Sequence, residues 1–172
     1  MELQTERLLL REYTVDDFAA VHAFAADVRI AEHVDWGPNS AADTKQFLEM
    51  CVEAQGEAVR TNFILAVTSA NRVPFGSVGL SVDHGRGDLG YVIDRDHWGQ
   101  GYATEAAASL LRFGKECLKL REITATCRPE NTASARVLEK IGMVHVGTRT
   151  ADKLIRGQWR DSLVFSAANS IA

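Results

Sequence analysis

Cysteine is scarce in this chain. Cys51, Cys117 and Cys127 are an odd number and no two have CxxC spacing, which excludes a disulfide scaffold or thiolate zinc site and suits reduced thiols in a cytoplasmic protein. Long apolar runs are missing. No stretch approaches the ~20 residues of a membrane span, and the opening MELQTERLLLREY is charged throughout, unlike a secretion signal. Basic excess is also missing: 19 Lys and Arg stand against 23 Asp and Glu, a net charge of −4, so nucleic acid finds no general footprint. His22, His33, His84, His97 and His145 are scattered without ligand spacing, and no metal is expected. Neither a linker, a repeat nor a low-complexity segment interrupts the 172 residues. A single soluble, cytoplasmic domain over 1–172 is expected, with no membrane association.

What is present is a regular alternation of elements. Arg7–Tyr13 reads as a strand, and Thr14 with Asp16 and Asp17 opens a helix. Arg29–Val34 reads as a short helix, and Ser40 caps a longer one carrying Phe47, Leu48, Cys51 and Val52. Three strands follow at Asn62–Thr68, Val73–Val82 and Asp88–Ile93, and their short connections predict an antiparallel meander. Ala103, Ala106, Ala107, Leu110, Leu111, Gly114 and Leu118 share one helical face. Glu122–Cys127 alternates as a strand reached through that helix, which predicts a parallel crossover. A helix over Asn131–Ile141, then strands at Val144–Arg149 and Trp159–Ala167, close the chain. The expected fold class is α/β (α+β): a mixed, mostly antiparallel sheet of six to seven strands flanked by helices.

The most informative segment is Trp98-Gly99-Gln100-Gly101-Tyr102-Ala103-Thr104-Glu105. It joins the strand ending at Ile93 to the long helix. Free N–H groups and a partial positive charge at a helix start, reached through glycines, make an anion cradle. A P-loop is excluded, because no Lys-Ser/Thr pair follows in register. A dinucleotide fingerprint is disfavoured by Thr104 at its sixth position and by the preceding meander. A plain strand-to-helix connection, or a site for the pyrophosphate of an acyl-CoA, stays open on this segment alone.

Four segments in order carry a resemblance. Trp98-Gly99-Gln100-Gly101-Tyr102-Ala103 is similar to the Q/R-x-x-G-x-G/A signature of the GNAT N-acetyltransferases. It resembles most the W-G-x-G-Y-A-x-E-A form of their Rim-type branch, the ribosomal-protein N-terminal acetyltransferases. Thr5-Glu6-Arg7-Leu8-Leu9-Leu10-Arg11 resembles that branch's opening. Pro129-Glu130-Asn131-Thr132-Ala133-Ser134 with Val137-Leu138-Glu139-Lys140-Ile141-Gly142-Met143 resembles its N-x-x-S…LEK-x-G-F/M block, and Gly157–Asp161 its closing strand.

The resemblance implies a sheet splayed between the fourth and fifth strands, with acetyl-CoA as acyl donor. Its pantetheine arm would pair with the backbone of Tyr91, Val92 and Ile93, as a peptide adds to a sheet edge. The Ile93 N–H would face the thioester oxygen. Trp98, Gly99, Gln100, Gly101, Tyr102, Ala103 and Thr104 would hold the pyrophosphate, and Asn131 the pantetheine. The tyrosine that protonates the departing thiolate in many relatives corresponds to Leu138, so Ser134 is the implied partner of the sulfur. Glu105 is either a first-turn acid or a catalytic group near the amine. Thr126 occupies the position of a glutamate base, which leaves Asp88, Glu105, His33 and Asp35 as candidates. His33, Trp36 and Asp88 would contact the acceptor.

The expected activity is transfer of an acetyl group to a primary amine, a protein N-terminus or a small molecule, by direct attack in a ternary complex. The alternative is a non-catalytic acyl-CoA-binding module of the same fold. The acceptor, the acyl length and the choice between monomer and homodimer are not written in these motifs.

Overall fold

The computed structural model describes residues 1–169. Its eight strands are β1 (Glu2–Gln4), β2 (Leu9–Glu12), β3 (Asn62–Thr68), β4 (Gly76–Asp83), β5 (Arg86–Ile93), β6 (Glu122–Cys127), β7 (Val144–Ile155) and β8 (Gln158–Ala168). The helices are α1 (Phe18–Ala25), α2 (Val28–Ala31), α3 (Ala41–Gln55), α4 (Tyr102–Glu116) and α5 (Thr132–Lys140). All strands join one sheet in the order β1-β2-β3-β4-β5-β6-β8-β7. β3, β4 and β5 form the expected meander, and β5–β6 is the parallel pair.

The sheet exceeds the expected six to seven strands because the first residues form a hairpin. Glu2 pairs with Arg11 and Gln4 with Leu9 across a turn closed by the Thr5 N–H to Leu8 C=O bond, 2.9 Å. Three residues are too few to show a strand's alternation. The expected split between the fourth and fifth strands accordingly falls between β5 and β6. The last two strands are longer than expected. Their hairpin carries register shifts between His145 and Gly147 and between Arg149 and Lys153, and such irregularities blur a period of two.

Alternation along the central strands gives the sheet two covered faces. Leu89, Tyr91 and Ile93 of β5 pack on the side of Ala106, Leu110 and Leu138 from α4 and α5. Val92 of β5 and Ile64 and Ala66 of β3 pack on the side of Val21, Phe24 and Leu48 from α1 and α3. Gly114 lets α4 approach the sheet closely. A Cβ there would lie 2.7 Å from Ile123 Cδ1 and 2.9 Å from Leu80 Cδ2.

Candidate active site

β5 and β6 pair only through Arg86–Glu122, Gly87–Ile123 and Asp88–Thr124. Beyond Asp88 the strands part, and a cleft of about 790 Å³ opens between them. Backbone alternation decides which groups of β5 face it. The Asp94 N–H donates to Phe75 C=O at 2.8 Å, and Val92 is aligned with Ser77 and Gly90 with Gly79. In an antiparallel ladder the alternate residues point the other way. So Leu89, Tyr91 and Ile93 turn their N–H and C=O groups to the open side, while those of Val92 serve β4. The expectation that Val92 lends its backbone to a ligand is therefore corrected; Val92 lines the cleft through its side chain. The Ile93 carbonyl accepts the Trp98 indole Nε1–H at 2.7 Å, which leaves the Ile93 N–H as the polar group of that residue still on offer.

The glycine turn stands at the wide end. Gly99 (φ +73°) and Gly101 (φ +81°) adopt a conformation costly for side chains with a Cβ. Gly101 sits at the N-cap of α4, and no side chain caps the helix. The intrahelical ladder starts with Glu105 N–H to Gly101 C=O, 3.1 Å, so the amides of Tyr102, Ala103 and Thr104 precede it. Trp98, Gly99, Gly101, Tyr102, Ala103 and Thr104 line the cleft. Gln100 does not. Its carbonyl accepts from Arg7 Nη1 at 2.9 Å, and its side-chain amide donates to Asp96 C=O at 3.3 Å.

Glu105 is also turned away. It accepts from Thr5 Oγ1 (2.6 Å), the Arg7 N–H (2.8 Å) and Arg7 Nε (2.7 Å), and pairs with Arg7 Nη2 at 2.7 Å. Partial burial opposes its ionisation, but these donors together hold the carboxyl below its ordinary range. A carboxylate so committed anchors the turn and reaches no ligand in the cleft. The catalytic option for Glu105 is replaced by a positioning one. Arg7 was missed as a site residue; its guanidinium stacks 4.7 Å over the Tyr102 ring, a role visible in sequence only as part of the Thr5–Arg11 motif.

The opposite wall is β6 and the start of α5. Asn131 caps α5 by accepting the Ser134 N–H at 3.0 Å, which leaves its amide NH2 for a ligand. Ser134 Oγ lies 2.8 Å from the Tyr91 phenol oxygen, and the Ser134 carbonyl 3.0 Å from it. The Tyr91 side chain thus spans the cleft from β5 to α5. Enclosure pushes its hydroxyl well above the usual phenol range, with the Ser134 bond opposing. Leu138 is 1% exposed and belongs to the core.

On the other sheet face, Ser77, Gly79 and Ser81 of β4 and Asp88 and Gly90 of β5 make a floor of small and polar groups. Desolvation in the cleft pushes the Asp88 carboxyl upward, against the opposing pull of Lys153, Thr124 and Arg149. His33 and Trp36 of the α2–α3 loop stand over this floor, with the His33 ring 5.7 Å from that of Trp98. That loop is strapped to the β7–β8 hairpin. Asp35 pairs with Lys153 and, at 3.3 Å, with Arg128, while Arg156 Nη2 donates to the carbonyls of Trp36 (2.9 Å) and Gly37 (2.8 Å). Arg128, Lys153 and Arg156 carried no sequence signal, because a lone basic residue has no pattern of its own.

Among the described residues no three His, Cys, Asp or Glu side chains gather as a metal site, and no helix is long and apolar enough to cross a membrane.

Residues 7–144 match the model of the acetyltransferase (GNAT) domain family. An uncharacterized N-acetyltransferase of Bacillus licheniformis, p20, is 27% identical over 95% of this chain and 94% of its own length. The crystal structure of a GNAT-family acetyltransferase from Bacillus anthracis superposes with a TM-score of 0.87 at 29% identity, covering 98% of this chain and 99% of that one. RimL, a ribosomal-protein acetyltransferase in complex with coenzyme A, shares the fold at a TM-score of 0.86 and 16% identity over the whole of both chains. With a splayed sheet, a glycine turn and a family match over most of its length, the chain belongs to the GNAT family of acetyltransferases and is an N-acetyltransferase.

Proposed function

We propose that this chain moves the acetyl group of acetyl-CoA to a primary amine by direct attack in a ternary complex, in the cytoplasm, as a monomer or homodimer and without nucleic acid or membrane. One observation carries the reading: the unpaired edge of β5 runs from the glycine turn to Ser134. The pyrophosphate would rest on the amides around Gly99–Thr104 and the pantetheine would pair with Ile93 and Tyr91. The N–H groups of those two residues supply both the ladder and a donor for the oxygen that gains charge on attack, a contribution of several kcal/mol in comparable sites. Asn131 would hold the arm from the other wall.

The amine would enter over Ser81, Asp88 and Gly90, beneath His33 and Trp36. Asp88 is the base best placed to take its proton, directly or through water, since Glu105 is committed to Arg7. An α-amine, with a pKa of about 7.7–8.0, is already partly neutral at pH 7, whereas a lysine amine at about 10.4 needs far more help. The acceptor is accordingly an α-amine or a small-molecule amine. Cys127 lies in the cleft wall, but burial pushes its thiol upward, which disfavours an acyl-enzyme.

Thiol release from acetyl-CoA, measured over a panel of small amines and N-terminal peptides, tests the reading. Acceptor-dependent release is expected. Tight CoA binding without release under any acceptor would support the non-catalytic module instead, and a stably acetylated protein would overturn direct attack.

A further inference from the structure

Tyr91 enters the reading above through its backbone, yet its side chain makes the one hydrogen-bonded bridge between β5 and Ser134. Resting on the assignment of acetyl-CoA as donor, we propose that the Tyr91 phenol is a positioning residue that turns the Ser134 hydroxyl proton toward the sulfur of the departing coenzyme.

The argument is a count of protons. Tyr91 has one O–H and two acceptors in range, Ser134 Oγ at 2.8 Å and Ser134 C=O at 3.0 Å. With its proton on the carbonyl, the phenol oxygen accepts the serine hydroxyl, and the pair is closed on itself. With its proton on Oγ, the serine hydroxyl is released and points elsewhere. The Ser134 carbonyl loses little in the exchange, because it is inside α5 and keeps the Leu138 N–H of the helical ladder. Ser134 itself cannot drift, since its own N–H is held by Asn131 Oδ1 at 3.0 Å. Both arrangements satisfy the phenol and the Ser134 carbonyl, and only the second frees a hydroxyl proton, for the Cys127 sulfur beside it or for a ligand in the cleft.

The transfer step supplies the occasion. The amine nitrogen bonds to the thioester carbon, the C–S bond breaks, and the bonding pair leaves on sulfur as thiolate. The proton of the new ammonium passes to Asp88 or water. The thiolate then accepts the Ser134 O–H as Tyr91 backs it. A charge-assisted hydrogen bond of this kind is stronger than the neutral one it replaces.

Bound CoA itself reports the effect, with no acceptor required. The thiol of CoA in the complex is titrated by its thiolate absorbance, with desulfo-CoA as blank, while calorimetry gives the affinity. Cys127, Arg128, Arg136 and Lys140 also face this part of the cleft, and they are the same in every variant. The thiol of CoA bound to Tyr91→Phe is expected to titrate about one pH unit above that bound to the unaltered protein. Ser134→Ala should raise it at least as far, and Tyr91→Phe with Ser134→Ala no further than Ser134→Ala alone. Weaker CoA binding by Tyr91→Phe with an unmoved thiol would make Tyr91 a mere strut and overturn the proposal. Additive shifts in the double variant would overturn it too. Failure of the unaltered protein to bind CoA would instead defeat the donor assignment, and this proposal with it.

Discussion

Arg7 offers the sharpest test of how the glycine turn is held. Replacing it with Met removes the two guanidinium contacts to Glu105, each at 2.7 Å, and the bond to the Gln100 carbonyl at 2.9 Å. Glu105 is largely enclosed, but it keeps the Thr5 hydroxyl and the backbone N–H of residue 7, which Met also supplies. The cost is therefore below the 3–5 kcal/mol of a stranded buried charge. Arg7 is 45% exposed, so solvent screening discounts the ion pair, and about 1–2 kcal/mol is the expected loss. For a chain of this size that lowers the melting temperature by about 2–8 °C. Freed from Arg7, the turn must be ordered by the ligand, and CoA affinity should fall about tenfold, roughly 1.4 kcal/mol. The pH dependence has a definite sign. Glu105 is held below its unfolded value of about 4.3, so the stability it contributes is complete above that pH and is lost as pH falls through the folded value. The gap between the two proteins should narrow in acid. Differential calorimetry across pH and titration with CoA are the assays. Unchanged CoA affinity in Arg7→Met would falsify the claim that this arginine preorganises the turn.

Five further variants have outcomes set by the geometry. Asp88→Asn should cut kcat/KM about ten- to a hundredfold with CoA affinity intact. The Asp88 carboxyl titrates above its ordinary range and Lys153 pulls it down, so the acid limb of the rate profile should move to higher pH in Lys153→Met; a limb that stays put would remove Asp88 as the base. Gly76→Ala places a Cβ 2.5 Å from the Val92 carbonyl, where backbone cannot yield, and a loss of about 2–3 kcal/mol in denaturant titration is expected. Gly90→Ala meets nothing within 4 Å and should change stability by about 0.5 kcal/mol or less while raising the acceptor KM. Arg156→Ala frees the carbonyls of Trp36 and Gly37 from the strap; it should alter acceptor selectivity between small amines and peptides, read by thiol release, and leave CoA binding unchanged.

Donor-side features were legible in sequence because they lie in local patterns. Gly99 and Gly101 announce positive φ, Asn131 and Ser134 stand three residues apart as cap and partner, and the apolar stripe of α4 has a clear period. The missed features depend on contacts far apart in the chain. Glu105 sits in a helix's first turn, where an acid is ordinary, and only Arg7, 98 residues earlier, shows where it is spent. The backbone of Val92 differs from those of Tyr91 and Ile93 solely through the register with Ser77. β1 is three residues long and has no periodicity to read.

The same distinction explains why the acceptor is harder to name than the donor. The proposed donor side would use main-chain groups whose positions follow from strand, turn and helix geometry, and these survive almost any change of side chain. In the proposed reading the acceptor side is lined by side chains from Asp35, Asp88, Arg128 and Lys153, on four separate elements or loops. Two acids and two bases there leave no net charge of one sign, so the acidic balance of the whole chain does not extend to this surface. A strongly cationic acceptor gains little from such a lining. An amine that carries its own anionic or polar group could meet Asp88 with one end and Lys153 or Arg128 with the other. Because Asp35 already pairs with both cations, an anionic group on the proposed acceptor would have to compete with it, which would couple acceptor choice to how firmly the α2–α3 loop is strapped down.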